Sequence, residues 1–321
     1  MWRISPQQTI RDVDSDIEYT VQQVFSSQED QFICKASVQR YGVTRWVVLK
    51  GSTKRKTYME GVHNSIVQKL NANYVVQMLD RFTIQPIHII VLEYCDGGDL
   101  FDALIRWGSD FPFQEKDYVI VAVHVAVAVL SVLHNLSLIT AENQNKWVHR
   151  DIKPENLLLR RKVPHPSNIK LNDIALCDFE FLAMDGYVTR TAGTDMFLPP
   201  ESFEDPFTRH HAKIETHTTT AIDVWSLGIV LIDILDHNST ANYTSQSRGA
   251  PSSKRAKSIL RRYDQDKPFC RTAHELARHL SKMVQIDPAD RPSVHQLQSV
   301  VVQYHMETLE RNNFVPATTV E

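Results

Sequence analysis

Residues 148–157 read Val148-His149-Arg150-Asp151-Ile152-Lys153-Pro154-Glu155-Asn156-Leu157, and they decide the fold. Asp151, Lys153 and Asn156 place a carboxylate, an ammonium group and an amide oxygen in one short polar stretch. Downstream stand Cys177-Asp178-Phe179, then Gly193-Thr194 and Pro199-Pro200-Glu201. Upstream stand Val47-Val48-Leu49-Lys50 and the run from Ile89 to Leu100 that contains Leu92-Glu93-Tyr94-Cys95-Asp96-Gly97-Gly98-Asp99. Taken singly, each has an ordinary explanation: polar loop residues, a surface lysine on a strand, a helix N-cap at Asp99.

The rest of the chain bounds what these residues can do. With 321 residues, 42% hydrophobic and 23% charged, the chain can bury one large domain or two lobes and is not intrinsically disordered. Lys plus Arg is 35 and Asp plus Glu is 38, so the net charge of -3 supplies no basic excess for nucleic acid or an anionic membrane, and neither partner is expected. Cys34, Cys95, Cys177 and Cys270 lack C-x-x-C spacing, which argues against a disulfide framework or a cysteine zinc site. The N-terminus shows no apolar core followed by a small-residue cleavage site, so an intracellular location, cytoplasmic or nuclear, is expected.

Short β-branched or aromatic runs at 17–25, 31–38, 45–50, 75–82 and 87–94 predict a small antiparallel sheet. Val62, Ile66, Val67 and Leu70 predict one amphipathic helix over 57–70 packed on it. Beyond Gly97-Gly98 the pattern turns to long helical segments. The apolar stretch 118–136 is marginal in length for a membrane span and carries His124 and His134, so a helix buried in a large lobe is expected. The expected organisation is a tail (1–17), a β-rich lobe (18–93), a connection (93–98), a mainly helical lobe (99–305) and a second tail (306–321). A cleft between the lobes is the default ligand site. Residues 140–146 and 160–168 read as surface excursions, 239–258 as a solvated loop, and His210, His211 and His217 as loop histidines without a metal.

An eight-residue match such as HRDIKPEN arises by chance on the order of once in 10^10 positions. The run resembles the catalytic loop of the eukaryotic protein kinases, and the other motifs follow in that family's order from about residue 18 to 305. The resemblance implies an α+β fold of two lobes, ATP and Mg2+ as cofactors, and a protein substrate. It implies that Asp151 takes or orients the proton of a substrate hydroxyl and that Lys153 offers charge to the γ-phosphate, lysine here being similar to the serine/threonine-specific members. Asn156 and Asp178 would hold magnesium, which favours hard oxygen ligands. Lys50 would reach the α- and β-phosphates. Val48 would lie against adenine, Leu92 at the back of its pocket, and backbone groups of Glu93 and Cys95 would hydrogen-bond it. Asp99 would lie near the ribose or cap the next helix. Asp223 would hold the catalytic-loop backbone, and Arg291 would pair with Glu201.

Three departures stand out. No glycine precedes Gly42, so the usual glycine-rich loop is replaced by Ser26-Ser27-Gln28-Glu29-Asp30-Gln31. A like-charge pair at 4 Å costs about 4 kcal/mol at an effective dielectric of 20, so either this tip points away from ATP or nucleotide binds weakly. Glu180 follows Asp178-Phe179 where the family usually has glycine, which should restrict switching of that segment. The partner of Lys50 is Glu60 or, by helical spacing, His63, with Glu60 preferred; Val48, where alanine is common, should narrow the pocket.

The survival of Lys50, Asp151, Asn156 and Asp178 favours an active serine/threonine protein kinase. The lost glycines and Glu180 motivate the alternative, a pseudokinase that binds partners without phosphotransfer. A small-molecule kinase fits less well, because residues 193–201 resemble a segment that supports a protein substrate. Arg150 is expected to pair with a phosphate on Thr189 or Thr191, and Glu155 with Asp99 to attract a basic residue preceding the target hydroxyl.

Overall fold

The computed structural model describes residues 4–70, 73–111, 115–138, 145–204, 213–235 and 270–312. The β-branched runs form strands β1 (Thr9–Asp12), β2 (Ile17–Ser27), β3 (Gln31–Arg40), β4 (Val43–Ser52), β5 (Met78–Ile84) and β6 (Ile87–Glu93). They build one six-stranded antiparallel sheet in the order β1-β2-β3-β4-β6-β5. Cys34 lies opposite Leu49, and Leu49 opposite Val91, so alternate apolar residues stack on one face. Tyr19, Val21, Phe32, Ala36, Val47 and Ile89 complete this core. The sheet curls, bringing Tyr19 of β2 onto Phe82 of β5 as a stacked pair at 5.7 Å. Helix α1 (Arg55–Lys69) packs on the sheet, but not by the predicted apolar stripe: of Val62, Ile66, Val67 and Leu70 only Val67 is buried, and the buried face carries Thr57, Glu60, Gly61, His63 and Asn64.

The expected N-terminal tail, 1–17, is corrected by this sheet. β1 pairs with β2, Ile10 opposite Tyr19, and Ile4 and Ile10 are buried in the small-lobe core. Its four residues are too few and too polar to announce a strand; the apolar edge of β2 recruits them. The C-terminal boundary at 305 likewise falls inside a helix that continues to Asn312.

The larger lobe holds α2 (Leu100–Asp110), α3 (Glu115–Ser137), α4 (Thr220–Leu235), α5 (Cys270–Met283) and α6 (Val294–Asn312). α3 is long and apolar enough to span a membrane by composition, yet 83% of its most apolar window is buried inside the lobe. α4 and α6 cover it, which explains a helix that is apolar all round. Each buried valine there contributes about 1.5 kcal/mol or more relative to exposure. Short strand pairs finish the lobe: β7 (Trp147–Val148) with β10 (Ala183–Met184), β8 (Leu157–Leu159) with β9 (Ile174–Leu176), and β11 (Val188–Arg190) with β12 (Glu215–His217).

The expected surface excursion at 160–168 is also corrected. Val163 is fully buried and its carbonyl accepts from Trp107 Nε1 at 2.9 Å. Arg161 forms a two-bond ion pair with Asp173. Most of 140–146, all of 239–258, and His210 with His211 lie outside the described residues; His217 sits in β12.

Candidate active site

The run 148–157 leaves β7, crosses beneath the cleft and enters β8. Its backbone is pinned by Asp223 at the start of α4: Oδ2 accepts from the His149 amide at 2.7 Å and Oδ1 from the Arg150 amide at 2.8 Å. Arg150 has φ 72, a left-handed conformation that costs a non-glycine residue about 1–3 kcal/mol and persists because these bonds hold it. Burial pushes the Asp223 carboxyl up, and the neighbouring His149 and backbone amides oppose that shift.

Asp151, 3% exposed, is the hub. Its Oδ2 lies 2.8 Å from Lys153 Nζ and accepts from Asn156 Nδ2 at 3.0 Å. Its Oδ1 accepts from the Thr194 amide at 2.9 Å and from Thr194 Oγ1 at 2.8 Å. Lys153 Nζ also donates to Thr194 Oγ1 at 2.8 Å. Burial works to raise the Asp151 carboxyl, but Lys153 and Thr194 outweigh it and hold the group below its ordinary value. Thr194 thus ties the downstream segment to the hub, a role that no local pattern around Gly193-Thr194 announces. Gly193 makes that approach feasible: with φ 108, a Cβ there would stand 2.3 Å from the Arg150 carbonyl.

Lys50 points from β4 into the same cleft. Its Nζ lies 2.7 Å from Glu60 Oε2 and 3.3 Å from Asp178 Oδ1, so Glu60 and not His63 is its helix partner. His63 Nδ1 instead meets the Phe179 carbonyl at 2.8 Å, and Phe179 is buried against His149, ring centroids 5.0 Å apart. Glu60, Asp178 and Glu180 bring carboxylate oxygens within 4.8 Å of one another. One ammonium group among three carboxylates leaves local negative charge, and both partners shift toward holding protons. Burial disfavours the Lys50 cation, yet Glu60 and Asp178 keep its pKa raised. Burial, with Asp178 and Glu180 nearby, pushes Glu60 up to about 7 against the pull of Lys50.

Glu180 does not strain the backbone. It lies in the 3-10 turn Phe179–Phe181, and the left-handed residue is Asp178, φ 63. The backbone there makes no demand for glycine at position 180.

The floor of the cleft is apolar: Leu92, Leu158 and Cys177 pack with Val76, Cys95 and Ala175. Val48 stands opposite Leu92 in the β4–β6 register, so the two side chains lie on the same face of the sheet. The Glu93 amide is committed to Gln77 O at 2.8 Å, while its carboxylate accepts from the Gln77 amide and lies 3.3 Å from Arg160. Arg160 also donates to the Val75 and Ile174 carbonyls, clasping the two lobes from a stretch that had read as a surface loop. Gly97 lets the connection lie flat on the large lobe, because a Cβ there would meet Arg161 O at 2.3 Å. Asp99 caps α2, accepting from the Asp102 amide at 2.8 Å. Burial raises its pKa, as it does for Glu155.

The stretch in place of the glycine loop is a tight hairpin. The Gln28 amide donates to Gln31 O at 2.8 Å, and β2 reaches it through two register shifts. Asp30 fastens the tip to the β4–α1 turn: its carbonyl accepts from the Thr53 amide and Ser52 Oγ, and its carboxylate pairs with Lys54 at 2.8 Å. Its charge is therefore matched by Lys54. Farther away, Arg291 grips Glu201 with two bonds of 2.6 and 2.7 Å and lies over the Trp225 ring.

Two lobes joined at 93–98, with a lysine–glutamate pair above and an aspartate–lysine–asparagine set below, define a kinase-like fold and cleft. The family described as protein kinase domain matches residues 42–302, and the chain belongs to that family. It is 26% identical over 236 residues to the probable serine/threonine-protein kinase nek2 of Dictyostelium discoideum, covering 73% of this chain and 49% of that protein. It is 29% identical over 187 residues to serine/threonine-protein kinase H2 of Homo sapiens, covering 57% and 42%. A third relative, the calcium/calmodulin-dependent protein kinase cmkA of Emericella nidulans, is 26% identical over 253 residues, covering 77% and 53%. The aligned part spans about half the length of these relatives.

Proposed function

We propose that the chain is an active serine/threonine protein kinase that uses magnesium and transfers the γ-phosphoryl group of ATP to a hydroxyl of a protein substrate. The observation that carries this reading is the convergence of Asp151 Oδ1, Lys153 Nζ and Thr194 Oγ1 within 2.8 Å contacts beside a formed Lys50–Glu60 pair. Asp151, kept ionised, accepts the hydroxyl proton; Lys153 balances charge on the transferred group. Lys50, held by Glu60, binds the α- and β-phosphates. Val48 and Leu92 enclose the adenine ring, with backbone groups at Glu93 and Cys95 as its polar contacts and Asp99 toward the ribose.

The residues fit a magnesium ion. Asn156 turns Nδ2 to Asp151, which leaves its oxygen as the end for a cation, and Asp178 belongs to a cluster with surplus negative charge. Magnesium bound there would neutralise phosphate charge. Glu155 and Asp99 would favour a basic residue ahead of the target hydroxyl.

The fastened hairpin favours one other reading, a pseudokinase whose small lobe does not close over phosphates. Transfer of phosphate from Mg-ATP to serine- and threonine-containing proteins, run beside Asp151→Asn, separates the two. Transfer lost in the mutant supports catalysis; nucleotide binding without transfer supports the binding module.

A further inference from the structure

The segment from Asp178 to Glu201 must be ordered for Thr194 to reach Asp151, and its order comes from residues 213–218, which follow Glu201 in the chain. The Gly186 amide donates to Thr218 O at 2.7 Å and the Thr218 amide to Tyr187 O at 2.8 Å. β11 pairs with β12 between them, Thr189 opposite Thr216. The Thr191 amide and Oγ1 both donate to Ile214 O, at 3.0 and 2.7 Å. Lys213 Nζ closes the row, donating to Gly193 O at 2.7 Å and pairing with Asp195 at 2.8 Å.

At the centre of this row, Arg150 Nη1 donates to Thr189 Oγ1 at 2.9 Å, and Thr189 Oγ1 lies 2.7 Å from Thr218 Oγ1. The same guanidinium donates through Nε to Phe181 O at 2.6 Å. The arginine expected to receive a phosphate thus spends Nε on the Phe181 carbonyl and Nη1 on a neutral hydroxyl pair and the Arg190 carbonyl. The cavity bounded by Arg150, Thr189, Thr191, Thr218 and Ile222 has a volume of about 10 Å³, room for at most one water. A phosphoryl group on Thr189 would have to break the Thr189–Thr218 hydroxyl contact or leave through the open side of this space.

We propose that β12 and Thr218 are the positioning elements of this segment, and that they order it without a phosphate on Thr189 or Thr191. Thr218 acts through Thr189 and Arg150; it does not touch the reacting groups. The inference deepens the kinase reading and rests on it for its consequence, but the order of the segment can be read without any phosphotransfer.

The test is amide hydrogen exchange over 186–193 in the full chain after phosphatase treatment, with the absence of phosphate verified by mass, in wild type, Thr218→Val and Thr218→Ser. KM and kcat for a protein substrate are measured alongside. Slow exchange in the phosphate-free wild type is expected. Thr218→Val should exchange about fivefold faster, as loss of one hydrogen bond implies, with KM for the protein substrate raised and Thr218→Ser restoring both. Free exchange in the phosphate-free wild type, or protection that arises only after phosphorylation of Thr189, overturns the proposal, and this arm needs no variant to fold. Unchanged exchange in a folded Thr218→Val overturns the role of Thr218. A protected segment without transfer from ATP supports the brace and defeats the kinase reading alone.

Discussion

The loop at 148–157 and the hairpin at 26–31 belong to opposite lobes, and they differ in what fixes them. The loop is held by buried, charge-assisted bonds to Asp223, Asn156, Lys153 and Thr194, so each side chain has one place to go. The hairpin is held by a turn and by half-exposed contacts of Asp30 with Ser52, Thr53 and Lys54. The residues of the loop therefore stand or fall together, whereas a substitution in the hairpin removes contacts that are each small.

Asp151→Asn is the sharpest way to break that contrast. It should lower phosphotransfer by about 10^3-fold, within the range for loss of a positioned general base, in a steady-state assay with thermal melting as the control for folding. An equally large loss from a hairpin substitution would show that the two regions are not distinct in kind. Next in size is Asp223→Ala, which strands the His149 and Arg150 amides in the interior. It should destabilise the protein by about 3 kcal/mol, read from the urea midpoint; a change under about 1 kcal/mol would mean that the strained Arg150 backbone does not depend on it.

The Lys50–Glu60 pair gives a pH test of the region between the two. A Glu60 carboxyl raised to about 7 keeps its proton in the folded state down to the ordinary carboxylate range, where the unfolded chain also takes one up. Its own contribution to stability is thus present at acid pH and is lost as pH rises through about 7. The ion pair behaves oppositely, forming as pH rises, so kcat/KM should climb through about 7. Glu180→Gln removes one carboxylate that raises Glu60, and the acid limb should move to lower pH; a limb that stays put or moves up contradicts the assignment. The smallest effect belongs to the hairpin. Asp30→Ala removes a half-exposed ion pair and should cost under about 1 kcal/mol in stability, with KM for ATP as the parameter that responds; a large loss of kcat would assign the hairpin a role in the chemical step.

The parts legible in the sequence share a cause. β2 through β6 carry alternation set by burial on one sheet face, and Lys50, Asp151, Asn156 and Asp178 sit in dense local motifs. Spacing along α1 points to His63, and Glu60 is preferred only because Lys50 needs a carboxylate; the contact itself settles the choice. β12, Arg160 and Thr218 were not legible, because each draws its role from partners distant in sequence, and β1 was not because four mostly polar residues announce no strand. Arg160 in a polar stretch has no period and no motif; its meaning is the Val75 carbonyl and the Glu93 carboxylate of the other lobe. The reading of 160–168 as a surface excursion fails for that reason.

By itself the sequence determined the two lobes, the cleft between them and the identity of the charged groups within it, since apolar periodicity and local motif chemistry are properties of neighbouring residues. Only the tertiary structure decided that Glu60 meets Lys50, that Asp30 is fastened away to Lys54, and that β12 occupies the edge of the segment leading to Thr194. Those outcomes depend on which distant hydrogen-bonding groups arrive close enough to satisfy one another, and that is settled when the chain closes on itself.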